Sequence, residues 1–361
     1  MSSQAGFEVP FSVSPAQQSF RLLELPPELV HLLSSASAPT LCLKSSDPQP
    51  SSSAEAVLCT PDKTYQVREV QTSNSVLVSC PTTGGASQAS GIAEPGLSAI
   101  SKCGSTLELL PSKEVSAKPF LIKALPLYTG LEGDEFLTTQ AAKRRDRVFA
   151  DIPLSVGECE HGWIDTVAFE AGSPARSFRP AASIALKAWA TMLLVANEQG
   201  IDLTGMLVPS YLGTLFSSAE DWPVELTKAV VKRLVAPEDA LRLHATYVDE
   251  DTATMDVALD RSRTIQWTGL VLLETLWREQ GPVPMTEFVA KWKDSLPEAW
   301  RDDVAVDRLE TACKVSAGGV SVEYVSESLR TDATTTAESK PATAATGKRK
   351  WHEKFRNARK R

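Results

Sequence analysis

The chain has 361 residues, which is long for one hydrophobic core, and its apolar content of 42% is ordinary for a globular protein. We expect two or three domains and no membrane span, because no apolar run is long enough to cross a bilayer and the N-terminus lacks the basic-then-apolar order of a signal peptide. The formal net charge is −8, and the six cysteines are scattered without a CxxC pair, which argues against a disulfide framework or zinc site and favours a reducing compartment.

The first residues predict a disordered start and then a β-rich domain. Residues 1–18 are rich in Ser, Gln and Pro, and we expect them to be disordered. Residues 19–112 begin with the extended segment SFRLLEL, continue with a short helix in PPELVHLLSS, and return to an extended TLCLK. We expect this domain to be part of an antiparallel β-barrel.

Residues 55–78 predict three short strands separated by tight turns at 61–63 and 71–75. Such a meander is too small to bury both of its faces, so we expect it to pack against the rest of the chain or against another chain. The residues predicted to contact a partner are Val57, Leu58, Tyr65, Val67, Thr72, Ser73, Asn74, Val76 and Leu77.

From residue 117 to residue 325, helices followed by short strands recur three times. This pattern predicts three tandem winged helices, at 117–180, 181–265 and 266–325. In the first, the capping box from Ser155 to Glu158 is expected to begin a helix that runs through Phe169.

The second and third units have clearer patterns. Helix 223–235 of the second unit is expected to bury Leu226, Val230 and Leu234 and to point its lysines away from that face, with a long wing over 242–267. The third unit is expected to contain an amphipathic helix at 269–280, two further helical stretches and a strand–Gly-Gly–strand wing.

Residues 326–361 predict a disordered linker and a basic tail. Residues 348–361, KRKWHEKFRNARKR, hold eight Lys/Arg and one Glu, a local charge of +7, which leaves −15 for the rest of the chain. The tail is expected to contact single- or double-stranded DNA or to act as a nuclear import signal, and the sequence leaves both open. The tail residues predicted to bind DNA are Lys348, Arg349, Lys350, Lys354, Arg356, Arg359, Lys360 and Arg361.

Basic residues in the helical units are sparser. Arg308 and Lys314 are predicted to contact DNA in the third unit, and five others are candidates for contact with a polymerase or DNA: Lys143, Arg144, Arg145, Lys228 and Lys232. The helices that carry them also contain acidic residues, which favours protein docking in some of the units.

We find no pattern of residues suited to catalysis or metal binding. A nucleotide-binding loop is absent from the sequence, and the four histidines form neither HxH nor HExxH. Cys159 and His161 lie two residues apart on a helix, so their side chains point to different faces and do not form a nucleophile–base pair. We therefore expect a protein that is not an enzyme and needs no cofactor.

Four segments, at 20–33, 55–78, 151–163 and 296–303, resemble the "defective in sister chromatid cohesion" family in the family's order. The resemblance implies a non-catalytic nuclear subunit of the alternative clamp loader, which acts on the sliding clamp PCNA. It also implies that partner chains complete the β-barrel, that the partners are the loader's large ATPase subunit and small subunit, and that the winged helices contact DNA polymerase epsilon and DNA. A PCNA-interacting box is absent from the sequence, so contact with PCNA is expected to be indirect.

The alternative interpretation is a free-standing winged-helix transcription regulator. Such a protein would bind a specific duplex sequence, commonly as a dimer on two half-sites. The lack of a strongly basic recognition helix argues against it.

Overall fold

The computed structural model describes residues 9–45, 56–83, 95–112, 116–130, 142–217, 221–246, 255–309 and 312–325. Within these ranges the chain is a mixed α+β protein, as predicted, with a curled N-terminal sheet followed by helices and short strands. It divides into two compact units, Met1–Thr264 and Ile265–Arg361. None of the helices in these ranges combines the length and apolar composition needed to cross a bilayer.

The N-terminal sheet is mixed rather than wholly antiparallel. Its strands are β1 (Phe11–Val13), β2 (Leu22–Glu24), β3 (Cys42–Ser45), β4 (Ala56–Cys59), β5 (Thr64–Thr83) and β6 (Pro95–Pro111). The order is β1-β6-β5-β4-β3, and β2 also pairs with β6. The antiparallel prediction is wrong for β1 and β2. Both strands run in the same direction as β6 and pair with it in parallel, β1 at Leu97–Ala99 and β2 at Thr106–Glu108.

The long strand β5 replaces two of the predicted short strands and the turn between them. Gln71 pairs with Ser105 and Val76 pairs with Cys103, with a shift of register between the two pairs. The predicted turn at 71–75 is therefore wrong. Pairing with β6 extends the strand through the turn-forming residues, which are accommodated as an irregularity in a long hairpin.

Strand β1 lies in the segment that the sequence predicts to be disordered, so that prediction is wrong for Phe11–Val13. The backbone N–H of Leu97 donates to the carbonyl of Pro10, and that of Ser14 donates to the carbonyl of Ala99. These bonds hold the segment against β6. Residues 1–8 lie outside the described ranges.

The helices that lie wholly within the described residues of the first unit are α1 (Pro27–Leu33), α2 (Lys118–Ala124), α3 (Arg145–Asp151), α4 (Val156–Asp165), α5 (Ala182–Glu198), α6 (Pro209–Ser217), α7 (Val224–Leu234) and α8 (Pro237–Thr246). The short strands among them are β7 (Leu127–Tyr128), β8 (Phe169–Ala171), β9 (Arg176–Pro180), β10 (Met206–Leu207) and β11 (Val257–Ala258). Strands β7, β9 and β8 form one small sheet, and β10 pairs with β11.

Two predictions for this helical part are confirmed and two need correction. Ser155 and Glu158 form the capping box, and α7 buries its predicted stripe of Leu226, Val230 and Leu234. However, α4 ends at Asp165 rather than at Phe169, which begins β8. The long wing is wrong at both ends. Helix α8 occupies Pro237–Thr246, starting with a proline and two acidic residues that favour a helix N-terminus, and the next helix already begins at Arg261.

Helix α1 covers one end of the N-terminal sheet. Leu29 of this helix packs in a buried cluster with Leu58, Tyr65 and Leu109. The Tyr65 hydroxyl donates to the Glu28 carboxylate at 2.7 Å. Burial and this hydrogen bond raise the pKa of Tyr65 to about 12. This end of the sheet therefore has a core of its own.

A lysine of the sheet also holds the helices that follow it. The Lys44 ammonium on β3 donates to the carbonyls of Phe149, Ile152 and Leu154 at 2.8, 3.1 and 2.6 Å. The last carbonyls of a helix have no intrahelical partner, and a cation at this end also interacts favourably with the helix dipole. Lys44 thus closes the C-terminal end of α3 from outside the helix.

The second unit contains the greater part of α9 (Arg261–Gln280), then β12 (Val283–Pro284), α10 (Met285–Asp294), two 3-10 helices and the hairpin of β13 (Cys313–Val315) and β14 (Ser321–Tyr324). The predicted third helical stretch is the pair of 3-10 helices, Glu298–Asp303 and Val306–Leu309. The predicted Gly-Gly turn is present, with positive φ at Gly318 and Gly319, and β12 pairs with β14.

Candidate partner-binding sheet and basic groups

One part of the N-terminal sheet exposes both of its faces. Val76 and Leu77 are successive residues of β5, so their side chains point to opposite faces, yet each is 46% exposed. Both faces are therefore accessible along this part of β5, whereas Ser98, Ala99, Ser101 and Cys103 of the neighbouring β6 are buried. We call β1, residues 76–81 of β5 and residues 97–103 of β6 the open sheet region.

Strand β1 adds further apolar surface to the open sheet region. Phe11 pairs with Leu97, which pairs in turn with Pro81, so the three side chains form a row across the sheet. Val13 lies one row further, opposite the buried Ala99. Phe11, Val13 and Leu97 are 55%, 66% and 39% exposed. Apolar side chains grouped in this way are typical of a surface that binds another protein.

Four of the predicted interface residues lie at the covered end of the sheet instead. Val57, Leu58 and Tyr65 are buried in this chain, and Val67 is partly buried against the same cluster. Their side chains are not available to a partner, and the interface prediction needs correction there. The apolar pattern correctly indicated buried strands. Leu29 of α1 packs with Leu58 and Tyr65, and Val57 is buried on the opposite face of β4.

The remaining predicted interface residues lie in the exposed half of β5. Thr72, Ser73 and Asn74 belong to the strand itself rather than to a turn, and Asn74 is exposed. Contact of these residues, and of the exposed Val76 and Leu77, with a partner stays a prediction. The sequence analysis missed Phe11, Val13 and Leu97. The alternation of Val9, Phe11 and Val13 is a period-two signal that could have identified the first two.

The outer edge of the sheet at β3 is also accessible. Among the described strands β3 pairs with β4 alone, and Leu43 in its middle is exposed. A strand with an unpaired edge presents backbone N–H and C=O groups that a strand of another chain can pair with.

The candidate basic residues before α3 lie beside carboxylates. The Lys143 ammonium pairs with Asp151, and the guanidinium of Arg144 is 3.5 Å from Asp146. Both basic side chains are exposed. Their charges are partly compensated within the chain, which weakens the case for phosphate contacts.

The side chain of Arg145 is held by contacts within the chain. Its guanidinium forms an ion pair with Glu160 and lies 4.9 Å from the centre of the Phe149 ring and 5.6 Å from that of Trp163. Burial lowers the pKa of Arg145. An arginine stacked on two rings and paired with a carboxylate is poorly placed to contact another molecule.

The lysines of α7 differ from the prediction that both point to solvent. Lys228 is half-buried, and Lys232 lies in a site where burial, together with the charges of Arg145 and Lys228, lowers its pKa to about 8. The prediction is wrong for Lys232, because the side chains of α7 that leave the buried stripe meet other elements of the same unit.

In the second unit Arg308 and Lys314 are exposed. Lys314 lies directly opposite Glu323 in the β13–β14 hairpin, so a negative charge is its cross-strand neighbour. The tail residues predicted to bind DNA lie outside the described ranges: Lys348, Arg349, Lys350, Lys354, Arg356, Arg359, Lys360 and Arg361.

Comparison with known proteins identifies the family of the chain. The family described as Sister chromatid cohesion protein Dcc1 matches residues 20–332, most of the chain. A search of curated proteins finds no match. The matched range contains the sheet from β2 onward and every later described helix and strand, and the family implies a role in sister chromatid cohesion. The chain therefore belongs to the sister chromatid cohesion protein Dcc1 family.

Proposed function

We propose that the chain is a non-catalytic subunit of the alternative, cohesion-linked clamp loader and acts in the nucleus. In this role it couples the loading and unloading of PCNA to replication and cohesion without contacting PCNA directly. Membership of the family supports the cohesion part of this proposal. The basic tail supports the nuclear part, since clusters of Lys and Arg are typical of import signals.

The observation that supports a subunit role most strongly is the open sheet region. Val76 and Leu77 are exposed on opposite faces, and Phe11 and Val13 extend the apolar surface. Strands from the small subunit and from the C-terminal part of the large ATPase subunit would cover these residues and complete a shared β-barrel. Burial of apolar area at about 25 cal/mol per Å2 supplies the driving force, and pairing at the free edges fixes the register.

We propose that the helical parts are winged helices that hold DNA polymerase epsilon and, more weakly, DNA. The second unit supports this assignment, because its elements follow the order helix, short strand, helix, helical turns and two-stranded hairpin. The acidic neighbours of Lys143, Arg144, Arg145 and Lys314 favour a protein as the principal partner. The basic tail would then supply most of the contact with nucleic acid.

The test is co-purification of the tagged full chain with the two loader subunits. We compare the wild type with Phe11→Lys and Val13→Lys, which place a charge in the open sheet region, and with Leu194→Lys as a control. Leu194 is exposed to a similar degree, 57%, but lies on α5. We expect both β1 variants to lose the loader subunits and the control to retain them.

Two outcomes would overturn the proposal. One is a wild-type chain that captures neither loader subunit from nuclear extract and enriches one duplex sequence instead. The other is unchanged capture by both β1 variants, which would remove the open sheet region from the interface.

A further inference from the structure

The sequence holds three Ser-Pro or Thr-Pro pairs, and two of them have a basic residue three positions after the hydroxyl residue. These two are Thr60-Pro61-Asp62-Lys63 and Ser173-Pro174-Ala175-Arg176. The third, at Ser14, lacks the basic residue. A class of serine/threonine kinases selects proline directly after the target and a base at this position. The fold then decides which of the two segments such a kinase can reach.

Ser173 lies at the tip of the β8–β9 hairpin. Residues 172–175 are exposed and connect the two short strands, which share three residue pairs. Arg176 forms the last pair, with Ala171, and its guanidinium donates to the carbonyl of Ala142 at 3.0 Å. Presentation of Ser173 and Arg176 together requires this last pair to fray and the Arg176 guanidinium to leave the Ala142 carbonyl.

Thr60 has the same motif in a closed setting. The Thr60 residue is 7% exposed, and its hydroxyl donates to the carbonyl of Lys63 and accepts from the Lys63 backbone N–H at 2.9 Å. The carbonyl of Pro61 accepts from the backbone N–H of Gly157 at 2.8 Å. Access to Thr60 therefore requires this turn to separate from α4.

We propose that Ser173 is a phosphorylation site for a proline-directed kinase that selects a base three positions later, and that the fold protects Thr60 from the same kinase. In the transfer, the Ser173 oxygen forms a bond to the γ-phosphorus of ATP and the bond from that phosphorus to the β–γ bridging oxygen breaks. ADP leaves, and the hydroxyl proton passes to the catalytic carboxylate of the kinase.

The modification would change the charge of the hairpin tip. A phosphoserine adds about −1.5 to −2 charges at pH 7 and three acceptor oxygens. Arg176 is the nearest base in sequence, and its guanidinium can pair with the phosphate instead of with the Ala142 carbonyl. The added charge would thus be held on the surface of the first unit.

The test treats the purified full chain with ATP and a kinase of this class and follows each site by phosphopeptide mass spectrometry. Synthetic peptides covering 56–66 and 168–179 report how well each motif is recognised without the fold. We expect the two peptides to react at similar rates. In the full chain we expect Ser173 to react at least about tenfold faster than Thr60, equivalent to about 1.4 kcal/mol of opening free energy.

Two variants complete the design. Ser173→Ala should abolish the fast reaction, whereas Ser14→Ala, which removes the Ser-Pro pair without a base, should leave it unchanged. Equal rates at Thr60 and Ser173 in the full chain, or an unreactive Ser173 beside a reactive 168–179 peptide, would overturn the proposal. An unreactive 168–179 peptide would overturn it too. No loader subunit is needed, so this result is independent of the proposed function.

Discussion

The hydroxyl of Thr64 in β5 donates to the carboxylate of Glu158 in α4, although the two residues are 94 positions apart. The same oxygen accepts from the backbone N–H of Ser155 at 2.7 Å. The strand and the first turn of the helix therefore satisfy each other's polar groups. This contact joins the sheet, with its open region, to the helical part of the first unit.

We expect Thr64→Val to destabilise the protein by about 1–3 kcal/mol, because the hydrogen bond to the charged Glu158 carboxylate is lost, while the Ser155 N–H keeps its capping-box bond to Glu158 at 2.9 Å. Urea unfolding of the full chain measures the effect. Thr106→Val is the matched control, since Thr106 is a half-buried residue of β6, and a change within about 0.5 kcal/mol is expected there. Equal destabilisation in both variants would contradict the role of Thr64.

Replacement of Lys44 by Met should cost about 2–4 kcal/mol, because three carbonyls lose the hydrogen bond from the ammonium, although the Ile152 carbonyl keeps the Leu154 N–H as a donor. Thermal or urea unfolding reports the destabilisation. Lys102→Met removes an exposed lysine of the same sheet and should have little effect. If the two variants unfold at the same urea concentration, Lys44 does not stabilise the end of α3.

Gly269→Ala should destabilise the second unit by about 1–3 kcal/mol even though alanine favours helices, because a methyl group there would overlap the indole of Trp292. Trp292 cannot move freely, since its Nε1 donates to the Ile265 carbonyl at 2.9 Å. Gly213→Ala is the control: it is also in a helix, but the added methyl meets nothing within 4 Å. We expect that variant to be stabilised by up to about 1 kcal/mol, and stabilisation of both would be inconsistent with close packing at Gly269.

Because Lys232 is partly buried, the free energy of unfolding should rise as the pH increases from about 8 to about 10.4. Its pKa is about 8 in the folded chain and about 10.4 when unfolded. Between these pH values the unfolded chain binds more protons than the folded chain. Below pH 8 the lysine is charged in both states, so the folded chain bears the whole cost of burying that charge. Lys232→Met should stabilise by about 1–3 kcal/mol at pH 7, and this stabilisation should shrink towards pH 10. Urea unfolding across this range measures it, and a stabilisation independent of pH would exclude the mechanism.

Deletion of residues 348–361 should flatten the salt dependence of DNA binding. Removing one phosphate contact reduces the slope of log affinity against log salt by about 0.9 for duplex DNA. Binding titrations at several salt concentrations measure the slope. An unchanged slope together with loss of nuclear accumulation would make the tail an import signal only.

Short-range sequence patterns correctly predicted the elements that depend only on residues close together in the chain. The capping box of Ser155 and Glu158 and the buried stripe of α7 follow from short-range spacing. The Gly318-Gly319 turn follows from the ability of glycine to adopt positive φ. Contacts inside one helix or hairpin are enough to specify such features.

Features that depend on distant pairing were not predictable in this way. Residues 71–75 are turn formers, but β6 pairs on both sides of them and keeps the strand continuous. Leu58 and Val76 have similar apolar surroundings in the sequence, yet only the first packs in the buried cluster with Leu29 of α1. Which strand is buried and which is open depends on where a helix elsewhere in the chain packs.

The parallel pairing of β1 with β6 has a consequence during translation. The side chain of Gln17, just after β1, donates to the carbonyl of Ala99 on β6, and 82 residues separate them. At about 5–20 residues per second, the ribosome needs roughly 4 to 16 s to make the intervening stretch. During that interval the apolar Phe11 and Val13 have left the exit tunnel before their strand partner, so the nascent chain would benefit from a chaperone that binds short apolar segments.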